Sequence, residues 1–106
     1  MSKSFKTRIV QRIYRTFLDV MVLKLVQNEP MWGYKIIKCV EEQREIRLRH
    51  SALYPLLGKL EKDGFLRSSR KAKNGRVRKI YNITSKGIQL VNAYNEFLTE
   101  ELKSAH

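Results

Sequence analysis

Residues 51–84 read SALYPLLGKLEKDGFLRSSRKAKNGRVRKIYNIT, a helix pattern followed directly by a hairpin pattern. Ser51 is predicted to cap the helix, and Pro55 lies in its first turn, where a missing N–H is tolerated. Asp63-Gly64 is a typical helix end, because glycine accepts the left-handed conformation found there. The apolar stripe of the helix has a spacing of three to four residues and consists of Leu53, Leu56, Leu57 and Leu60.

The hairpin pattern consists of two strand-like runs, residues 65–70 and 77–83. The segment between them contains Asn74-Gly75, a pair that tolerates positive φ at both central positions of a two-residue turn. The surroundings are strongly basic, since residues 59–79 contain nine Lys and Arg against two acidic residues. The sequence therefore predicts a short helix beside a hairpin with a cationic tip.

Further patterns precede this unit. Residues 14–27 carry apolar side chains at helical spacing and end at the breaker Asn28-Glu29-Pro30. Residues 33–43 show a second, shorter helical pattern with one apolar and one polar face. Residues 46–49, Ile-Arg-Leu-Arg, alternate apolar and basic side chains, as in a brief strand.

After the hairpin, Thr84 is predicted to cap a last helix with a wide apolar stripe. The resulting fold class is mainly α with a small β-hairpin, a winged helix-turn-helix with a C-terminal helix. We expect a single domain over residues 1–106. It comprises a basic N-terminal segment at 1–13, the winged core at 14–83 and the C-terminal helix at 84–103.

Length and composition limit the function. A chain of 106 residues with 42% hydrophobic residues fits one modest core, and a net charge of +12 favours a polyanionic partner. No run reaches the roughly 18 apolar residues of a membrane span, and the basic N-terminus does not resemble a signal peptide. A lone cysteine, Cys39, provides no disulfide framework or thiolate metal site within one chain. We expect a soluble, cytoplasmic and nucleoid-associated protein without metal or cofactor.

The order of elements favours duplex DNA as the partner. A helix of this diameter fits the major groove, where each base pair presents a distinct pattern of donors and acceptors. The basic hairpin, or wing, then reaches the neighbouring minor groove or backbone. An enzyme is disfavoured, because no His/Cys cluster, phosphate-binding glycine loop or nucleophile with an adjacent base is recognisable.

Three ordered stretches resemble the PadR family of winged-helix transcriptional regulators. They are EPMWGY at 29–34, SALYPLLGKLEKDG at 51–64 and RKIYNITSKG at 78–87. Two positions depart from the family pattern, Trp32 where histidine is usual and Gly58 where a larger polar residue is common. The resemblance implies the shorter branch of the family, with one C-terminal helix that serves dimerisation.

The residues expected to contact DNA are aromatic, polar or basic and lie on the third helix, on the wing or at the start of the second helix. The wing and N-terminal cations are expected to supply affinity through counterion release, whereas the third helix sets register and sequence. The candidates are Tyr34, Lys35, His50, Ser51, Ala52, Tyr54, Pro55, Lys59, Lys71, Lys73, Asn74, Arg76 and Arg78.

Several of these residues have a second reading. Tyr54 either contacts DNA or covers the edge of the core. Tyr34 is expected to pack inside with its hydroxyl reaching a phosphate. Arg76 enters a narrow minor groove or belongs to a solvated loop. Trp32 belongs to the core or lines an effector pocket, and His50 is a possible phosphate donor.

The C-terminal stripe exceeds what a small monomer readily covers, which favours a homodimer over an intramolecular role. The residues expected at the dimer interface are Ile88, Val91, Tyr94, Leu98 and Leu102. The leading hypothesis is a repressor that binds double-stranded DNA as a homodimer on a pseudo-palindromic operator. A non-specific architectural protein and an RNA-binding winged helix are the alternatives. A small-molecule effector that changed the angle between the terminal helices would release DNA, and no residue identifies one.

Overall fold

The computed structural model describes residues 2–44 and 48–104. Within these residues the strands form one antiparallel sheet in the order β1-β3-β2. The predicted class, mainly α with a small β-sheet, is confirmed. The elements in chain order are α1 (Ser2–Thr16), α2 (Leu18–Asn28), β1 (Met31–Trp32), α3 (Gly33–Arg44), α4 (His50–Lys62), β2 (Leu66–Lys73), β3 (Arg76–Ile83) and α5 (Ser85–Ser104).

The N-terminal part is helical from Ser2, so α1 runs through the segment expected only to be basic and crosses its boundary at residue 13. The helix predicted over 14–27 is divided at Phe17, whose φ of −105° and ψ of 15° lie outside helical values. The Phe17 N–H still donates to the Ile13 carbonyl at 3.1 Å, and the Phe17 carbonyl accepts from Met21 N–H at 3.0 Å. The division is therefore a local bend and does not open a loop.

The core lies between α2, α3, α4 and the inner face of the sheet. Leu23, Ile36, Leu53 and Leu57 are fully buried. Of the inward stripe predicted for α4, Leu53, Leu57 and Leu60 are buried and Leu56 is partly buried. The sheet contributes side chains from all three strands, and α5 closes the core with one residue of its apolar stripe. These further buried residues are Met31, Leu66, Tyr81 and Val91.

The start of α4 differs from the prediction. Ser51 does not cap the helix, because the extended backbone of Arg49, with φ −76° and ψ 140°, makes Arg49 the N-cap residue. The Arg49 carbonyl accepts from the N–H groups of Ala52 and Leu53 at 3.0 Å, so Ser51 already lies within the first turn. Residues 46–47 of the strand predicted at 46–49 lie outside the described residues, and Leu48 and Arg49 belong to no strand.

The hairpin follows the predicted pattern and extends further toward its tip. Strands β2 and β3 pair from Leu66 opposite Ile83 to Lys73 opposite Arg76, so residues 71–73, expected in the loop, belong to β2. Asn74 and Gly75 have φ values of 53° and 75° and form a two-residue turn with the positive φ that the sequence predicted.

Thr84 joins the hairpin to α5 and confirms the predicted cap. Its Oγ1 accepts from the Gly87 N–H at 3.1 Å and donates to the Gly64 carbonyl at 2.6 Å. Lys86 Nζ donates to the Asp63 carbonyl at 2.8 Å, which also ties α5 to the end of α4. These contacts fix the start of α5 against α4 and the wing. None of the described helices combines the length and apolar character needed to cross a bilayer.

Candidate nucleic-acid interface

One face of α4 is open to solvent over its whole length. Its apolar stripe points inward, and the opposite face carries the predicted contact residues of the third helix. Such a face matches the requirement for a helix that presents side chains to base edges. The exposed residues on this face are His50, Ser51, Ala52, Tyr54, Pro55 and Lys59.

Tyr54 connects α4 to the start of α3. The side chain is 45% exposed, and its ring lies directly over Gly33. A Cβ atom at position 33 would come within 2.6 Å of Tyr54 Cε1, so this approach requires glycine. The His50 and Tyr54 ring centroids are 6.0 Å apart. The Tyr54 ring thus covers the start of α3 and also presents an open surface to solvent.

Between α3 and the wing, two aromatic rings lie between two cations. The Trp32 and Tyr34 ring centroids are 5.4 Å apart. The Arg78 guanidinium carbon lies 3.5 Å from the Trp32 centroid, and Lys38 Nζ lies 5.6 Å from the Tyr34 centroid. We call this set, Arg78, Trp32, Tyr34 and Lys38, the wing-base stack. Cations at the faces of aromatic rings are attracted by the ring quadrupole, which favours this order.

The wing supplies cations beyond the stack. Arg76 and Lys71 are exposed, and Lys71 lies directly opposite Arg78 in the register of the two strands. Asn74 is exposed at the turn, whereas Lys73 ends β2 and its side chain is outside the described set. A cleft of about 490 Å³ separates the wing from the start of α3. Its lining consists of Trp32, Tyr34, Arg76, Val77 and Arg78.

Among the predicted contact residues, Lys35 forms an ion pair with an acidic side chain. Its Nζ forms an ion pair with Glu29 Oε1 at 2.7 Å, and this hydrogen bond raises the pKa of Lys35. Both side chains are close to half exposed, so the pair contributes little stability. A phosphate near Lys35 would have to compete with Glu29.

Glu61 ties the wing to the end of α4. Its carboxylate accepts from Ser68 Oγ at 2.5 Å and from Lys79 Nζ at 3.1 Å. The hydrogen bond from Ser68 is the main cause that lowers the pKa of Glu61, and the hydrogen bond to Glu61 raises the pKa of Lys79. Both groups therefore keep their charges near neutral pH. Lys79 is thus engaged within the fold and is not one of the free wing cations.

The residues predicted for dimerisation lie in different environments. Val91 is buried in the chain's own core, and Tyr94 is half-buried, with its hydroxyl 3.5 Å from Asp19 Oδ2. Burial raises the pKa of the Tyr94 hydroxyl, which therefore stays a neutral donor. Leu98 is half-buried. The large apolar side chains of α5 that stay exposed are Ile88, Phe97 and Leu102.

Helix α1 carries a second exposed apolar row. Its members are spaced four residues apart and therefore share one face of the helix. They are Phe5, Ile9 and Ile13, with exposed fractions of 60%, 38% and 49%. The sequence analysis did not identify this row, because it treated the segment only as a source of positive charge.

Sequence reasoning also missed Trp32, Gly33 and Lys38 as members of the candidate interface. Trp32 was considered only as a core or effector residue, but it is partly exposed and supports Arg78. The missing signal was β1, a strand of two residues that pairs Trp32 with Ile80. Such a short strand has no periodicity that a sequence could reveal.

The contact between Gly33 and Tyr54 gives a testable prediction. Gly33→Ala should displace the Tyr54 ring and change the sequence preference of DNA binding, because the added Cβ would overlap the ring. Only the movable end of Tyr54 is in the way, so the free energy of unfolding should change by less than about 1 kcal/mol. Thermal unfolding and competition binding with variant duplexes would measure the two effects.

The double variant Gly33→Ala, Tyr54→Ala is the control for Gly33→Ala. Once the ring is absent, the alanine at position 33 should have no further effect beyond that of Tyr54→Ala alone. If Gly33→Ala changed DNA binding equally in the wild type and in Tyr54→Ala, the substitution would act through the backbone of α3, and the prediction would be contradicted.

The family model described as the PadR-like family of transcriptional regulators matches residues 22–93. A search of curated proteins finds no match. A PadR family regulator from Eggerthella lenta is 24% identical, with 98% of this chain and 91% of that one covered and a TM-score of 0.84.

Two further solved structures extend the comparison. A PadR-like transcription factor from Bacteroides fragilis is 24% identical over 92% of this chain and 95% of its own, with a TM-score of 0.79. A Streptococcus mutans protein is 31% identical over 82% of this chain and 76% of its own, with a TM-score of 0.65. The likeness extends over nearly the whole described fold.

Proposed function

Because the chain belongs to the PadR-like family of transcriptional regulators, we propose that it is a repressor that binds double-stranded DNA as a homodimer on a pseudo-palindromic operator. In this proposal α4 enters the major groove, and the wing lies along the neighbouring minor groove or backbone. The role of the protein is recognition, and no chemical step is assigned to it.

The observation that carries the proposal is the continuity of aromatic and basic side chains from α4 to the wing. The ring of Tyr54 covers Gly33 at the start of α3, and the next residue, Tyr34, belongs to the wing-base stack. At the wing, the stack ends with Arg78, and the exposed Arg76 adds a further cation. A surface with this composition suits phosphate oxygens together with base edges.

The exposed apolar side chains of α5 and α1 support a homodimer. Leu102 is 72% exposed, and Phe97 is 59% exposed. Leaving such side chains in water is unfavourable, whereas a second copy would cover them by a two-fold related contact. We propose that α5 and the exposed row of α1 together form the interface. The two α4 helices would then reach successive major grooves, about 34 Å apart.

The test of the dimer uses Leu102→Glu. Because Leu102 is already largely exposed in one chain, the added charge should leave the monomer folded and disrupt only the contact between copies. Sedimentation equilibrium should show half the mass of the wild-type particle, and binding to an operator should weaken at least about a hundredfold. Gln89→Glu is the matched control, since it adds the same charge on the opposite side of α5.

The test of sequence specificity compares the DNA upstream of the protein's own gene, and sequences selected from a random pool, with a scrambled duplex. Preference for particular sequences at moderate salt would support the operator-binding regulator. Equal affinity for the upstream DNA, the selected sequences and the scrambled duplex would instead favour the architectural function, and preference for structured RNA would favour the RNA-binding alternative. A monomeric wild-type protein at micromolar concentration would contradict the dimer.

A further inference from the structure

The wing base holds two buried guanidinium donors of Arg78. Nε and Nη1 of Arg78 are both buried and have no partner among the described residues. Buried donors are normally paired, because removal from water without a partner is unfavourable. These two donors therefore have no acceptor within the described part of the chain.

The position of Arg78 follows from the strand register. Trp32 of β1 is paired with Ile80 of β3, and Arg78 is two residues before Ile80. Since side chains two apart on a strand share a face, Arg78 projects on the same side of the sheet as Trp32. The guanidinium carbon then lies over the Trp32 ring, 3.5 Å from the ring centroid.

The cleft beside this guanidinium combines apolar and cationic side chains, since Trp32 and Val77 line it together with the two arginines. Arg76 and Arg78 face it together with Tyr34, and no carboxylate is among its lining residues. Its volume of about 490 Å³ is larger than a single phosphate group requires and leaves room for the adjoining sugar-phosphate chain. A phosphate diester offers several acceptor oxygens, and a guanidinium can bind two of them in parallel.

We propose that this cleft binds one backbone phosphate of bound DNA. In this proposal Trp32 is a positioning residue that orients Arg78 toward that phosphate. The Nε–Nη edge of Arg78 turns toward the cleft as the phosphate enters, and its missing acceptor is supplied by the phosphate oxygens. The proposal rests on the DNA-binding function proposed above and deepens it. It also assigns a role to a tryptophan at a position that departs from the pattern of the family that the sequence resembles.

Four variants separate the charge of Arg78 from its orientation. Arg78→Ala removes the contact, whereas Arg78→Lys keeps the charge without the planar fork. Trp32→Ala keeps the arginine and removes its support, and Trp32→Phe restores an aromatic face. Lys24→Ala is the control for loss of one positive charge, because exposed Lys24 lies on α2, outside the wing, α3 and α4.

The measurement is the salt dependence of binding to a fluorescein-labelled duplex, followed by anisotropy. Loss of one phosphate contact per protomer should reduce the slope of log affinity against log salt by about 0.9, or about 1.8 for a dimer. We expect this reduction for Arg78→Ala and also for Trp32→Ala, although the latter retains every charge. Trp32→Phe should recover most of the slope, and Arg78→Lys should weaken affinity with a smaller change in slope.

A second readout is the emission of Trp32, the single tryptophan of the chain. It should change when DNA binds to the wild-type protein and stay unchanged on DNA binding to Arg78→Ala. If Trp32→Ala unfolds, the two Arg78 variants and Trp32→Phe still carry the test. Thermal unfolding of each variant identifies that case.

The outcomes distinguish this proposal from the function on which it rests. If the protein binds DNA tightly but Trp32→Ala and Arg78→Ala retain the wild-type salt slope, the proposed phosphate-binding site is wrong and the DNA-binding function stands. If the wild-type protein binds no duplex at all, both are wrong. Reduced slope in Arg78→Ala with a wild-type slope in Trp32→Ala would leave a phosphate contact but overturn the positioning role of the indole.

Discussion

Replacing Gly87 with alanine is expected to lower the free energy of unfolding by about 2–3 kcal/mol, a large fraction of the stability of a domain of this size. Gly87 is buried in the first turn of α5, where an added Cβ would overlap the Phe65 carbonyl oxygen and Ile83 Cγ1. Alanine would improve helix propensity by about 1 kcal/mol, which is too little to offset that overlap. Neither obstacle is the free end of a flexible side chain, so relief requires movement of the backbone.

Urea denaturation of the wild type and the variant would measure this change. Gly58→Ala is the matched control, because a Cβ at position 58 of α4 meets nothing within 4 Å. The control should gain up to about 1 kcal/mol from helix propensity alone. Equal midpoints for Gly87→Ala and the wild type would contradict the steric argument.

The second large effect concerns salt. We expect the affinity for DNA to fall roughly a thousandfold when salt rises from about 50 mM to 200 mM, as for a protein that makes about six phosphate contacts per dimer. The physical reason is release of counterions by Lys and Arg, and the chain has a net charge of +12. The cations that we expect to contribute most are those of the wing, Lys71, Arg76 and Arg78.

Anisotropy titrations at several salt concentrations would give the slope directly. Arg76→Ala should reduce the affinity on every duplex tested, because a backbone contact carries no sequence information. Lys59→Ala on α4 should instead change the ranking of duplexes. Identical losses on all duplexes for both variants would refute this division of roles.

The sequence predicted those parts of the fold that depend on local geometry. Asn74-Gly75 predicts a two-residue turn because both residues accept positive φ, and the turn has this conformation. The end of α4 at Gly64, with φ of 86°, and the cap by Thr84 follow from equally local rules. In each case a residue type has a conformational preference that few others share.

Features that depend on tertiary contacts were not predictable. The bend at Phe17 involves neither glycine nor proline, and the apolar spacing continues through it. Ser51 satisfies the composition of a helix cap, but the extended backbone at Arg49 starts α4 earlier. Strand β1 exists because Met31 and Trp32 pair with β3, a partner about fifty residues later in the chain.

The candidate site was predicted as a set of residues but not as an arrangement. Tyr34, Tyr54 and Arg78 were identified from their places on the helices and the wing. Their connection depends on Gly33 and Trp32, which bring the three side chains onto one surface. Since β1 could not be predicted, the role of Trp32 as support for Arg78 could not be predicted either.

Glu61 of α4 holds the wing through a hydrogen bond from Ser68 of β2 and an ion pair with Lys79 of β3. In the proposed dimer, each protomer then keeps its α4 and wing in a fixed relation, and the contact between protomers sets the distance between the two α4 helices. In this proposal that distance depends on α5 and α1, which contain none of the side chains expected to read the base sequence. Operator spacing and operator sequence can therefore change independently during evolution, the first by substitutions in the terminal helices and the second by substitutions on α4.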